Sequence, residues 1–255
     1  MSDDNAAPVA IRLEKVSKVF RKVRSAKPFV AVDNLDLTVT QGQMLGLLGK
    51  TGCGKSTIFN MIVGLTEPTS GLVTVEGCNP FRDFGALRGK LAIVFQNDRL
   101  LPWRTAVENV ELGLEILEQP RDLRRETAMR WLDRLGLRGH EHDYPHALSG
   151  GMRQRVSIAR AFATDPAILL CDEPFSALDE ITGRSLRTEF VKLVKENGKT
   201  AVFITHSINE ALEIGDRIVV LRRPAAIATD LLVGSTAVIE EREVIRSRIE
   251  GILAA

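Results

Sequence analysis

The chain has 255 residues, with 34 Lys+Arg against 33 Asp+Glu. The resulting formal charge of +1 gives no global reason to expect nucleic acid or an anionic membrane surface as a partner. An apolar share of 44% beside a charged share of 26% fits an ordinary globular protein: one large α/β domain with room for an inserted smaller one. No apolar run approaches the roughly 18 residues of a membrane span, and "MSDDNAAPVA" has no signal-peptide pattern, so a membrane role is expected only from a peripheral position.

In chain order, "AIRLEKVSKVF" and "VAVDNLDLTVTQGQ" alternate apolar and polar residues around a turn, predicting an antiparallel edge sheet. "MLGLLG" does not alternate and reads as a strand buried on both faces. A helix, "STIFNMIVG", follows and closes near Gly64. "LAIVFQ" is a second buried strand, ending at Gln96. Between Asn97 and Ala147 the strands stop, and "VENVELGLEIL" and "RDLRRETAMRWLDRLGL" read as amphipathic helices of an inserted subdomain at about 97–150. The arginines of the second read as a solvated face. "MRQRVSIARAFATD" predicts a further helix, and "AILLCDE" and "AVFITHS" further core strands. This βα alternation predicts an α/β fold with a mostly parallel sheet. After Arg223 the pattern weakens, and "EEREVIRSRIEGIL" reads as a surface helix in a short tail, 226–255, behind a main domain at 11–225. Cys53, Cys78 and Cys171 lack metal-ligand spacing and read as reduced structural thiols.

Gly49-Lys50-Thr51-Gly52-Cys53-Gly54-Lys55-Ser56 fits G-x-x-x-x-G-K-[ST] between a predicted buried strand and a predicted helix. Glycines there let successive backbone N–H groups form an anion-binding concavity, and the helix N-terminus adds partial positive charge. Lys55 can reach the β- and γ-phosphates of a nucleotide, and the Ser56 hydroxyl can ligate Mg²⁺. The loop alone leaves ATP and GTP both open. "ILLCDEP" is an apolar strand ending in two carboxylates, and alternation along a strand predicts different roles for them: Asp172 for Mg²⁺, Glu173 for an attacking water. In "LSGGMRQR", Ser149 can cap a helix, and the same geometry offers a second phosphate site, one that would face the nucleotide of another subunit. Gln96 could touch the metal or the attacking water. His206, at the end of "FITHS", is placed for a γ-phosphate contact.

Taken in order, Gly49–Thr57, Gln96, "LSGGMRQR", "LLCDEPFSALD" and His206 resemble the nucleotide-binding subunit of an ABC transporter, over nearly the whole chain from about Ile11 to Leu221. That resemblance implies the P-loop NTPase core of the ABC ATPases, with ATP and Mg²⁺ as cofactors and Ser56, Gln96 and Asp172 as metal ligands. It implies a head-to-tail dimer in which each ATP lies between the P-loop of one copy and Ser149, Gly150 and Gly151 of the other. Glu173 would polarise the attacking water, His206 would hold the γ-phosphate, Gln96 would link the site to a membrane partner, and Asp179 would communicate across the dimer. Phe20 is the best match to the aromatic that stacks on adenine, with Phe29 as the fallback.

Within the family, "FQNDRLLPWRTAVENV", "YPHALSGGMRQRVSIARAF" and "DEPFSALDEITGRSL" look most like bacterial importer ATPases for nitrate, sulfonates, taurine or bicarbonate. Expected partners are a second copy or a closely related ATPase subunit, permease subunits in the membrane, and indirectly a periplasmic binding protein, with the chain on the cytoplasmic face of a bacterial inner membrane and no nucleic acid. An exporter or lipid-trafficking complex, and a soluble ABC ATPase outside transport, are the alternatives. Three departures stand out: Lys50 and Thr51 in the P-loop, Ala147 where relatives commonly carry an acid or glutamine, and the tail "RRPAAIATDLLVGSTAVIEER".

Overall fold

The computed structural model describes residues 7–21, 28–233 and 239–254. Its elements in chain order are β1 (Val9–Phe20), β2 (Phe29–Thr40), β3 (Met44–Gly49), α1 (Lys55–Val63), β4 (Ser70–Val75), β5 (Leu91–Val94), α2 (Ala106–Ile116), α3 (Arg121–Arg134), α4 (Gly150–Ala163), β6 (Ile168–Asp172), α5 (Glu180–Glu196), β7 (Thr200–Thr205), α6 (Ile208–Ile214), β8 (Arg217–Arg222), β9 (Ala226–Leu232) and α7 (Ile239–Ala254). The chain divides into two compact units, residues 1–87 with 198–255, and residues 88–197.

In the first unit, β1 lies between β2 and β4 with antiparallel pairing on both sides, as the alternation predicts. A second set of strands runs β7-β3-β8-β9, parallel from β7 to β8. All six residues of β3 and of β7 are buried, which is why their sequences are unbroken apolar runs. β9 pairs antiparallel with β8, a strand the weakening pattern after Arg223 does not predict. Its burial is only partial, so it carries little of the hydrophobic signal that marks a core strand. Arg217 at the start of β8 fixes this edge: it grips Asp230 of β9 through two bonds of 2.7 and 2.6 Å and donates to the Thr38 carbonyl of β2 at 2.6 Å. That pairing raises the Arg217 guanidinium above its usual range. The predicted tail helix is α7. Ile249 on it is fully buried.

In the second unit, β5 and β6 pair in parallel, and α2, α3 and α4 pack on one another. Thr105 and Glu108 form a capping box at the start of α2. The buried Asn109 accepts from Leu101 N–H and donates to the Leu101, Arg104 and Thr105 carbonyls, which holds the "LLPW" stretch onto α2. An aromatic string, Trp131–Phe162–Phe190–Phe175, runs at centroid spacings of 5.1, 6.0 and 5.8 Å from α3 through α4 and α5 to the loop after β6. Among the described residues, no helix is long and apolar enough to cross a membrane.

Helix α1 stops at Gly64 because that residue takes a left-handed conformation, φ 86°, and donates to Met61 O. A Cβ there would run into the Pro80 carbonyl oxygen. Gly64→Ala is therefore expected to lower stability by about 2 kcal/mol or more in a denaturant melt.

Candidate functional site

The glycine-rich loop leaves β3 at Gly49 and enters α1 at Lys55. Gly52 and Gly54 take φ of 78° and 116°, a region closed to most side chains. Gly54 has a second reason to lack a side chain: its Cβ would meet the Ala31 carbonyl oxygen and the Ala225 methyl. At Gly49, a Cβ would lie 2.7 Å from Cys53 Sγ and 3.0 Å from Leu221 O. The buried Lys55 folds back across the loop, donating to Gly49 O at 2.6 Å and Lys50 O at 3.2 Å. Helices α2, α4, α5 and α6 each have a side-chain cap, from Thr105, Ser149, Asp179 and Ser207. Helix α1 has none, and no acid in its first turn, so no side chain caps its start at Gly54, Lys55 and Ser56 or offsets the partial positive charge there, while Thr57 N–H donates to Gly54 O at 3.0 Å. That cradle fits a phosphate chain.

Three more predicted residues belong to this unit. Leu48 pairs with Thr205, which sets His206, the first residue beyond β7, across from Gly49. Phe20 and Phe29 are direct cross-strand partners, where β1 ends and β2 begins. Lys18 Nζ lies 5.2 Å from the Phe20 ring and the Arg223 guanidinium 5.5 Å from the Phe29 ring, so each aromatic has a cation on its face.

The second unit holds the other predicted residues. The strand expected to end at Gln96 stops at Val94, and Gln96 is exposed in the bend that follows. Val94 pairs with Cys171, so Gln96 and Glu173 each lie two residues beyond paired positions at the same end of β5 and β6. Asp172 closes β6. Glu173 is already outside the strand with φ 47°, a conformation rare for a non-glycine residue, so a left-handed step rather than strand alternation sets its place relative to Asp172. The Ser176 hydroxyl and N–H both donate to Glu173 O, at 3.0 and 3.3 Å, and stabilise that step. Ser149 Oγ accepts from Met152 N–H at 3.3 Å and caps α4, as predicted. Asp179 Oδ1 accepts from Thr182 N–H at 3.0 Å and caps α5. That hydrogen bonding holds the Asp179 carboxyl below the usual range. The two helix starts touch: a Cβ on Gly151 would lie 2.8 Å from Thr182 Cγ2, whereas Gly150 meets only the far end of Arg153 at 3.9 Å.

Burial pushes the Cys171 thiol up, which keeps it neutral on β6 beside Asp172. Among the described residues, no group of three or more His, Cys, Asp or Glu could hold a metal by itself. The set Ser56, Gln96 and Asp172 offers one carboxylate, one amide and one hydroxyl, the sparse oxygen donor set that suits a Mg²⁺ also held by phosphates. Further residues shape the site without a sequence motif of their own: Ala31 and Ala225, which bracket Gly54, and Asp98, Arg153 and Arg160, which tie the Gln96 bend to α4. No local spacing marks these residues, because each acts on a segment distant in sequence.

The chain matches the ABC transporter family, ABC_tran, over residues 32–176. It is 43% identical over 220 residues to an uncharacterized ABC transporter ATP-binding protein of Methanocaldococcus jannaschii, covering 86% of this chain and 80% of that one. It is also 43% identical over 191 residues to the taurine import ATP-binding protein TauB of Yersinia pestis, covering 75% and 73%. Among solved structures, a dimeric ATP-binding cassette in a post-hydrolysis state bound to ADP and Pi superposes with a TM-score of 0.77 at 35% identity, over 88% of this chain and 98% of that one.

Two expectations follow for the paired helix starts. Gly151→Ala should cost about 1–2 kcal/mol in a melt and recover in Gly151→Ala/Thr182→Ser, while Gly150→Ala should be neutral or slightly stabilising. For Asp179, whose carboxyl is depressed in the folded chain, the stabilising contribution is fully present above the ordinary carboxylate range and is lost as pH falls through the depressed value. The stability gap between wild type and Asp179→Ala, followed by denaturant melts, should hold steady above about pH 5 and narrow below about pH 4.

Proposed function

This chain belongs to the ABC transporter family of ATP-binding proteins, and it is an ATPase by that membership; from this premise we propose that it is the ATP-hydrolysing subunit of an importer for a small anionic solute of the nitrate, sulfonate, taurine or bicarbonate type. The observation that carries the importer reading is the 43% identity to a taurine import ATP-binding protein across three quarters of the chain. The phosphate cradle at Gly49–Thr57 supports the ATPase half of it.

In this proposal two copies, or one copy and a closely related subunit, pair head to tail. ATP lies between Gly49–Thr57 of one copy and Ser149, Gly150 and Gly151 of the other. Phe20, beside Phe29, carries the adenine. Lys55 exchanges its loop carbonyls for β- and γ-phosphate oxygens, a stronger, charge-assisted interaction. Ser56, Gln96 and Asp172 would hold a Mg²⁺ ion, which would supply charge neutralisation to the phosphates. Glu173 takes the proton of the attacking water, and His206 donates to the γ-phosphate. The chemistry is mostly positioning and charge stabilisation around a loose transition state. Asp179 reports across the dimer, and the helical segment at 97–150, with Gln96 at its root, carries closure to permease subunits on the cytoplasmic face of the membrane. A periplasmic binding protein delivers the cargo to those permease subunits.

The test uses tagged Glu173→Gln protein expressed in its own host, with membranes solubilised in the presence of ATP and Mg²⁺. A polytopic permease should copurify, and its partner binding protein would identify the cargo. Recovery from the soluble fraction alone would refute the transport role. Purified Glu173→Gln should bind ATP, lose turnover and run as a dimer on size exclusion. In contrast, Lys55→Ala should weaken nucleotide binding by about tenfold or more in a titration, since a cation facing the phosphates is lost.

A further inference from the structure

Helix α4 does more than present the Ser149 cap. Three of its side chains reach the bend that contains Gln96. Arg153 Nε donates to Asp98 Oδ2 at 2.9 Å, and its Nη1 donates to Leu148 O, the residue before Ser149, at 2.8 Å. Gln154, which is buried, donates to Phe95 O at 3.3 Å. Arg160 donates to Asp98 O at 2.7 Å and Arg99 O at 2.9 Å. Three carbonyls and one carboxylate within residues 95–99 are thus held by one helix.

The held segment is itself a constrained one. Arg99 takes φ 52°, a left-handed value for a non-glycine residue, with its guanidinium over the Phe95 ring at 5.8 Å. Asp98 also accepts from Leu100 N–H at 3.1 Å, so its carboxylate joins the bend to Arg153. Burial lowers the Arg160 guanidinium from its ordinary value, opposed by the Asp98 charge. It is a cation placed in a partly desolvated seat where backbone carbonyls take the place of water.

We infer that Arg153 is a positioning residue for ATP hydrolysis: bridging Leu148 O and the Asp98 carboxylate, it makes the Gln96 bend and the Ser149–Gly151 turn move as one body. Gln96 lies two residues before Asp98, and Ser149 lies next to Leu148. A shift of either end therefore strains the same guanidinium. Gln154 and Arg160 hold the remainder of the bend, so Arg153 is the link that reaches the turn itself. This rests on the roles proposed above for Gln96 and Ser149.

The experiment is a double-mutant cycle with Arg153→Gln, which removes the guanidinium, and Asp98→Asn, which keeps shape and removes charge, measured for kcat, ATP KM and melting temperature on the intact protein. Gln96→Ala serves as the control for the underlying reading. Each single variant should lose kcat by about tenfold with KM and melting temperature unchanged, and the double variant should lose no more. Arg153→Lys, keeping a cation within reach of Asp98, should recover part of the loss. Full kcat in Arg153→Gln while Gln96→Ala is impaired would overturn the inference alone, and so would losses that add in the double variant. A kcat loss that tracks a lowered melting temperature would reduce Arg153 to a structural role and overturn it equally. Full activity in Gln96→Ala would overturn the role given to Gln96, and the inference with it.

Discussion

The nucleotide-facing part of this chain depends on the missing side chain at Gly54. The Ala31 carbonyl of β2 and the Ala225 methyl before β9 press on that position from two elements, and the φ of 116° excludes a Cβ independently. Ala225 is tied to β2 in turn, donating to Ala31 O at 3.0 Å while its carbonyl accepts from Asp33 N–H at 3.1 Å. The antiparallel sheet and the β8–β9 turn therefore act as walls of the phosphate loop and hold its backbone in place. Such a loop can bind an anion without first paying the entropy of ordering itself.

The parts of this arrangement visible in the sequence are those built by local chemistry. An unbroken apolar run, a glycine-rich turn and a helix closing at Gly64 follow one another in about twenty residues, so the strand, loop and helix of the P-loop can be read directly. Ser149 is legible for the same reason, because a cap acts within three residues of itself. Elements that depend on distant partners were not legible. β9 is a half-buried edge strand defined by Arg217 and by pairing with β8. The ties from α4 to the Gln96 bend span more than fifty residues. Glu173 shows the limit of periodic reasoning most directly: strand alternation predicts that it points away from Asp172, yet the chain turns out of the strand at that residue.

In the proposed function, helix capping and phosphate recognition draw on the same atoms, and the hydroxyl of Ser149 illustrates how both can be satisfied. A hydroxyl has one proton to donate and two lone pairs to accept with. Capping α4 uses a lone pair, accepting from Met152 N–H. The proton is left for an oxygen anion. Asp179 has no such second function as a donor: once ionised it only accepts, so its cap on α5 takes up acceptor capacity and adds a fixed negative charge beside the Gly151–Thr182 contact. Two adjacent helix starts thus differ in charge: one is capped by a neutral hydroxyl with a proton to give, the other by a carboxylate that already carries a negative charge.

The three thiols differ in chemical accessibility. Cys53 is 2% exposed behind Gly49, and Cys171 is fully buried on β6 with its thiol held neutral, while Cys78 alone is partly open, in the turn after β4. Alkylating reagents act on an accessible thiolate, so neither buried sulfur is a ready target in the folded state. A maleimide dye added to the unaltered protein would consequently label a single position on the rim of the antiparallel sheet, with no cysteine engineered in or removed.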